Sequence, residues 1–136
     1  MTWVVDTCVV LDVYLGDPLH GKASAELLQR LLPEDLIVCP VTTVELSPVF
    51  SGNLEQQQEF LHLCGLRDDA EWTEADTRAA HQAWHRQVQQ RRAHRTPKRP
   101  VADILIGAFA LRHQGLITRN TQDFLPAFPS LKIRAP

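Results

Sequence analysis

Hydrophobic residues in this chain fall into short solid runs separated by longer stretches with helical spacing. Residues 3–5, 36–39 and 116–118 are brief, aliphatic or β-branched runs, the mark of strands covered on both faces in a parallel sheet. The segment Leu131-Lys132-Ile133-Arg134 alternates instead, which predicts an edge strand with its polar residues toward water. Helical spacing fills the intervals. In 22–32, Ala25, Leu27, Leu28, Leu31 and Leu32 form one stripe closed by Pro33, and 41–50 follows Pro40 with Pro48 expected to bend or end it early. Glu45 shares its helical face with Val41, Pro48 and Val49, which predicts a carboxylate turned toward the core. A helix over 54–64 stops at Gly65, and Thr73 with Asp76 has the spacing of a capping box that opens a long helix to about His94. The prolines of 96–100 predict a loop, and 101–114 an apolar helix ending at Gly115. Asp103 lies in its first turn, where free amides and the helix dipole favour an ionised carboxylate. Gly107 and Ala110 continue that face with small residues suited to close packing. The elements together predict an α/β fold, a central parallel β-sheet flanked by α-helices, in a single domain over 1–136. A chain of 136 residues buries a sufficient core without staples.

Composition narrows the setting. Cys8, Cys39 and Cys64 are an odd count with no C-x-x-C pair, each in or beside an apolar run, and are expected as reduced thiols of a cytoplasmic protein. No apolar stretch reaches the ~20 residues of a bilayer span, and no basic region precedes the first apolar run, so neither membrane insertion nor export is expected. The formal net charge of −2 conceals an asymmetry: residues 1–76 hold 3 basic and 14 acidic groups, and residues 77–136 hold 11 basic and 2 acidic. No acid occurs between Asp76 and Asp103, while Arg91, Arg92, Arg95, Lys98 and Arg99 gather just ahead of Asp103. A basic approach to an acidic centre suits a polyanion such as RNA.

The candidate centre is built from carboxylates. Asp6 ends the first strand, Glu45 lies in the helix after the second, Asp103 opens the helix that feeds the third, and Asp123 follows that strand. Ligands of open parallel sheets bind outside the carboxyl ends of the strands, so all four acids can meet at one rim. Grouped carboxylates repel one another unless a cation offsets them, and oxygen donors without His or Cys select a hard ion, Mg²⁺ or Mn²⁺. The chemistry expected of such a site is attack of water on a phosphodiester. Singly, Asp6 could be a helix cap, Asp103 a helix-terminus residue and Asp123 a turn residue. Their joint placement favours a metal site. His81 and His85 are four apart, but no Glu lies between them in H-E-x-x-H order and no third ligand is apparent, so a solvated helix face is the better reading. Trp84 between them is better read as packing than as a base-stacking platform.

Four segments carry a resemblance: Val4-Val5-Asp6-Thr7, Thr42-Thr43-Val44-Glu45-Leu46, Ala102-Asp103-Ile104-Leu105-Ile106-Gly107-Ala108, and Thr118-Arg119-Asn120-Thr121-Gln122-Asp123-Phe124. In their order and spacing the chain resembles the PIN-domain ribonucleases, in particular the VapC toxins of bacterial and archaeal toxin–antitoxin pairs. The resemblance covers nearly the whole chain. It implies a metal-dependent endoribonuclease with Asp6, Glu45, Asp103 and Asp123 as catalytic and metal-binding acids, Thr7 and Asn120 as supporting polar groups, an antitoxin as partner and a homodimer. An inhibitor is expected to reach the acidic cleft with a basic side chain. Asn120 departs from the pattern, which often has an acid there; Asp123, one turn later, is the candidate to take its place, and the number of metal ions stays open. Open alternatives are a PIN nuclease in RNA maturation or acting on DNA without an antitoxin, and a non-catalytic PIN module that only binds RNA or a partner. Transfer through an aspartyl-phosphate is disfavoured by Cys8 two residues after Asp6 and by lysine-poor strands.

Overall fold

The computed structural model describes residues 1–94 and 100–136. Arg95, Lys98 and Arg99, and the 96–100 loop apart from Pro100, lie outside the described residues. Five strands, all parallel, form one sheet in the order β3-β2-β1-β4-β5. In chain order β1 (Thr2–Val5) leads to α1 (Thr7–Tyr14) and α2 (Gly21–Arg30), and β2 (Asp35–Ile37) to α3 (Pro40–Glu45), a 3₁₀ turn (Ser47–Phe50) and α4 (Leu54–Leu63). β3 (Leu66–Arg67) precedes the long α5 (Glu74–His94) and α6 (Val101–Leu111), and β4 (Gly115–Ile117), α7 (Thr121–Phe124) and β5 (Ile133–Arg134) close the chain.

Alternation along the strands builds two cores. Val4, Ile37 and Leu116 face a layer with Ile104, Phe109 and Phe124, whereas Val5, Leu36 and Ile117 face Val9, Leu27, Leu46 and Leu61. Each central strand therefore needs apolar side chains on both faces, which accounts for the solid runs in the sequence. Burying each such side chain contributes roughly 1.5–3 kcal/mol. Gly107 is required by this packing: a Cβ there would fall 2.6 Å from Phe128 Cδ2.

Several boundaries differ from expectation. The central strands begin and end one or two residues earlier than the apolar runs, at Asp35–Ile37 and Gly115–Ile117. The 101–114 helix ends at Leu111, because Arg112 and the residues after it turn back to enter β4. Pro48 acts as its chemistry requires: the α-helix stops at Glu45 and a 3₁₀ turn follows. α1, β3 and α7 were not marked by any periodic signal. The capping box is present, with the Thr73 amide donating to Asp76 Oδ2 at 2.9 Å and the Asp76 amide to Thr73 Oγ1 at 3.4 Å. All three cysteines are free thiols. No helix among the described residues is long and apolar enough to cross a membrane.

Candidate active site

Asp6 follows β1 directly and caps α1. Its Oδ1 accepts the Thr7 amide at 2.8 Å, its Oδ2 accepts the Thr118 hydroxyl at 2.8 Å and the Cys8 thiol at 3.4 Å, and its own amide donates to Ile117 O at 2.9 Å. The residue is 5% exposed. Burial pushes its pKa above the ordinary aspartate value; the donors from Thr118, Cys8 and Thr7 oppose this, and the charge of Glu45 adds to it. Cys8 stays a thiol, its pKa pushed up to about 12 by burial and then by Asp6. Asp6 is thus a buried carboxylate whose donors among the described residues are all neutral.

Glu45 ends α3 and is exposed, which corrects the expected core-facing carboxylate: Thr42 and Leu46 take the buried positions, and Glu45, at the last helical residue, leans out over Thr7. Thr7 Oγ1 donates to Glu45 Oε1 at 2.7 Å and lies 2.9 Å from Thr42 Oγ1, so a fully buried hydroxyl braces the one that holds Glu45.

Asp103 is half-buried in the first turn of α6, and Asp123 is exposed on α7. α6 packs against α3, α7 and β1. Because α6 leads back into the start of β4, its first turn lies at the carboxyl edge of the sheet, the edge that holds Asp6 and the turn after β4. Asn120 is half-buried, and its amide donates to Thr118 Oγ1 at 3.0 Å. Among the described residues, no three of His, Cys, Asp and Glu stand close enough to form a ready ligand set. Asp6 and Glu45 are close enough to couple electrostatically. A buried carboxylate that has no cationic partner among the described residues and stands beside a second carboxylate has the donor chemistry of a hard-cation site.

Sequence reasoning missed three contributors. Thr118 reads as the end of a strand, yet its fully buried hydroxyl joins Asp6 to the Asn120 amide. Thr42 and Cys8 are equally inconspicuous in apolar surroundings. The signal that could have found them is a small polar group inside a solid apolar run, beside a candidate acid. Of the basic candidates, Arg91 is half-buried and Arg92 exposed on α5, and His81 and His85 are exposed. An apolar groove of about 550 Å³ between α3, α5 and α6, lined among others by Val41, Val44, Trp72, Trp84, Leu105 and His81, does not hold the acids.

Open parallel sheets of α/β proteins bind their ligands outside the carboxyl ends of the strands, the edge that holds Asp6. The model of the PIN domain matches residues 3–126, and the chain belongs to the PIN-domain family, a family of nucleases. A chain in the crystal structure of VapBC2 from Rickettsia felis, bound to a DNA fragment from their promoter, has the same fold, with a TM-score of 0.76 and 17% identity over 99% of this chain and 98% of that one. No curated protein sequence matches.

Proposed function

We propose that this protein is an Mg²⁺- or Mn²⁺-dependent endoribonuclease, the toxin of a VapBC-type pair, acting as a single domain over 1–136. One observation carries the reading: Asp6 is a buried carboxylate surrounded by neutral donors at the ligand-binding edge of a PIN-domain sheet, with Glu45 coupled to it. Asp6 and Glu45 would hold the ion, and Asp103 and Asp123 would contribute further oxygens to it or to its waters. When bound, the ion would polarise the scissile phosphoryl group and favour ionisation of a water.

The chain's own residues do the rest. The Thr7 amide and the Thr118 hydroxyl fix one oxygen each of Asp6, leaving the remaining lone pairs for a ligand. The Thr7 hydroxyl, braced by Thr42, restrains Glu45, and the Asn120 amide holds Thr118 in place. Arg91 and Arg92, with Arg95, Lys98 and Arg99, would draw the RNA backbone toward the acids.

The VapBC2 complex supports an antitoxin as partner. Such a protein would place a basic side chain among the acids and keep the enzyme silent in the cytoplasm until released. A homodimer is the expected assembly. The test is cleavage of RNA by the purified chain with Mn²⁺ or Mg²⁺, with chelator, and as Asp6→Asn. Cleavage that is lost on chelation and in the variant is expected; unchanged cleavage in Asp6→Asn rejects the assignment. Induced expression with and without the adjacent reading frame separates a toxin from a maturation nuclease, since only a toxin needs its neutraliser.

A further inference from the structure

Two buried carboxylates of the α1 region grip consecutive residues of the turn between β4 and α7. Asp6, the cap of α1, takes the hydroxyl of Thr118. Asp12, near the far end of α1 and 3% exposed, takes the guanidinium of Arg119 through Nε at 2.8 Å and Nη2 at 3.1 Å. The Ser24 hydroxyl, itself fully buried on α2, donates to Asp12 Oδ2 at 3.1 Å. The second grip is no part of the carboxylate centre. A two-pronged guanidinium–carboxylate bond fixes orientation as well as distance. Burying the Asp12 carboxylate is costly unless it is paired, and Arg119, itself partly open to solvent, and the Ser24 donor together satisfy it.

We propose that Asp12, Arg119 and Ser24 form a positioning clasp that sets the β4–α7 turn, and through it Asn120 and Asp123, relative to Asp6. The clasp rests on the nuclease reading for its effect on rate, though not for its effect on the turn. Its residues do not touch the reacting atoms. They act by holding the three-residue turn at Arg119, next to the Thr118 that Asp6 holds, so that α7 starts from a fixed point. Misplacing a catalytic group by about 1 Å can cost on the order of a hundredfold in rate.

The test uses Arg119→Lys, which keeps a cation beside buried Asp12 and so keeps the fold, but loses the fork geometry. Asp12→Asn is the second variant, similar in shape and able to accept one bond. Hydrogen exchange is read at the amides of Asn120, Asp123 and Leu125, with those of β1 and β4 as internal reference. The clasp predicts about tenfold faster exchange in the turn and in α7, the strands unchanged, and a fall of about ten- to a hundredfold in kcat with KM nearly constant. Wild-type exchange in the turn overturns the clasp whether or not the chain proves to be a nuclease. Raised KM with unchanged kcat makes Arg119 a substrate contact and also overturns it, as does a lowered Tm with unchanged kcat per folded molecule. Absence of cleavage in wild type, or its persistence in Asp6→Asn, fails the nuclease reading instead, and the exchange result still decides the clasp.

Discussion

At the scale of the residue, Asp6 decides most. Burial and Glu45 raise its pKa, so in the folded protein it holds its proton to a higher pH than in the unfolded chain. The native state then binds more protons between the two pKa values, and stability falls as pH rises through that window. Above it the ionised carboxylate is a standing cost, so Asp6→Asn should unfold at a Tm equal to or above wild type at neutral pH while its cleavage drops to background. A Tm well below wild type, measured by calorimetry without divalent ions, would place Asp6 among purely structural caps. Because burial raises the Asp6 pKa and a cation binds only the ionised carboxylate, the acid limb of the pH–rate profile at sub-saturating metal should lie above 3.8, the ordinary aspartate value, and move down as metal is added. A limb at or below that value at sub-saturating metal, unmoved by the metal concentration, would detach catalysis from Asp6. The acid itself was legible in the sequence, since a carboxylate closing a solid apolar run calls for a partner. Thr118 and Thr42 were not: a hydroxyl fits a strand or helix interior without penalty to the pattern, and its partner lies 112 residues away in the case of Thr118. Glu45 would share a buried face with Pro48 and Val49 only if the helix continued through them, and α3 ends at Glu45 itself.

At the scale of the element, the buried ends of helices separate structural acids from those of the centre. Asp76 caps α5 and is gripped by Arg112 through Nε at 2.8 Å and Nη2 at 3.0 Å. Burial alone would push its carboxyl up, but Arg112 and the Thr73 amide outweigh this and leave it below the ordinary value. The sign is therefore opposite to that of Asp6: the stability it contributes is complete above the unfolded value of 3.8 and is lost as pH falls through the lower folded value. Replacing Arg112 with Ala leaves the carboxylate buried and unpaired, and should destabilise the fold by about 3–5 kcal/mol while leaving kcat per folded molecule unchanged. Denaturant titration and active-fraction kinetics check both halves; a fall in kcat at full folding would draw Asp76 into the active site. The capping box was visible in advance because it is written in two residues three apart. β3 and α7, of two and four residues, are too short to carry a period, and α1 is so uniformly apolar that its face cannot be told from a strand. The strand order could not be read either, because parallel pairing joins segments far apart in the chain, such as β1 with β4.

At the scale of the whole molecule, charge is divided along the chain, with the basic excess after residue 76. If Arg91 and Arg92 guide RNA toward the acids, the double replacement Arg91→Glu and Arg92→Glu should raise KM about tenfold at low salt with little change in kcat, and the difference should shrink as salt rises. A salt-independent defect would mean that the residues act through packing. Long-range steering brings substrate to the centre, but the centre itself must capture a cation for the proposed chemistry to occur. Isothermal titration of Mn²⁺ into the wild-type chain and into Asp6→Asn tests that capture most directly. Saturable binding to the wild type, lost or strongly weakened in the variant, is the predicted result; no binding to the wild type, or equal binding to both, would contradict a metal-dependent nuclease centred on Asp6.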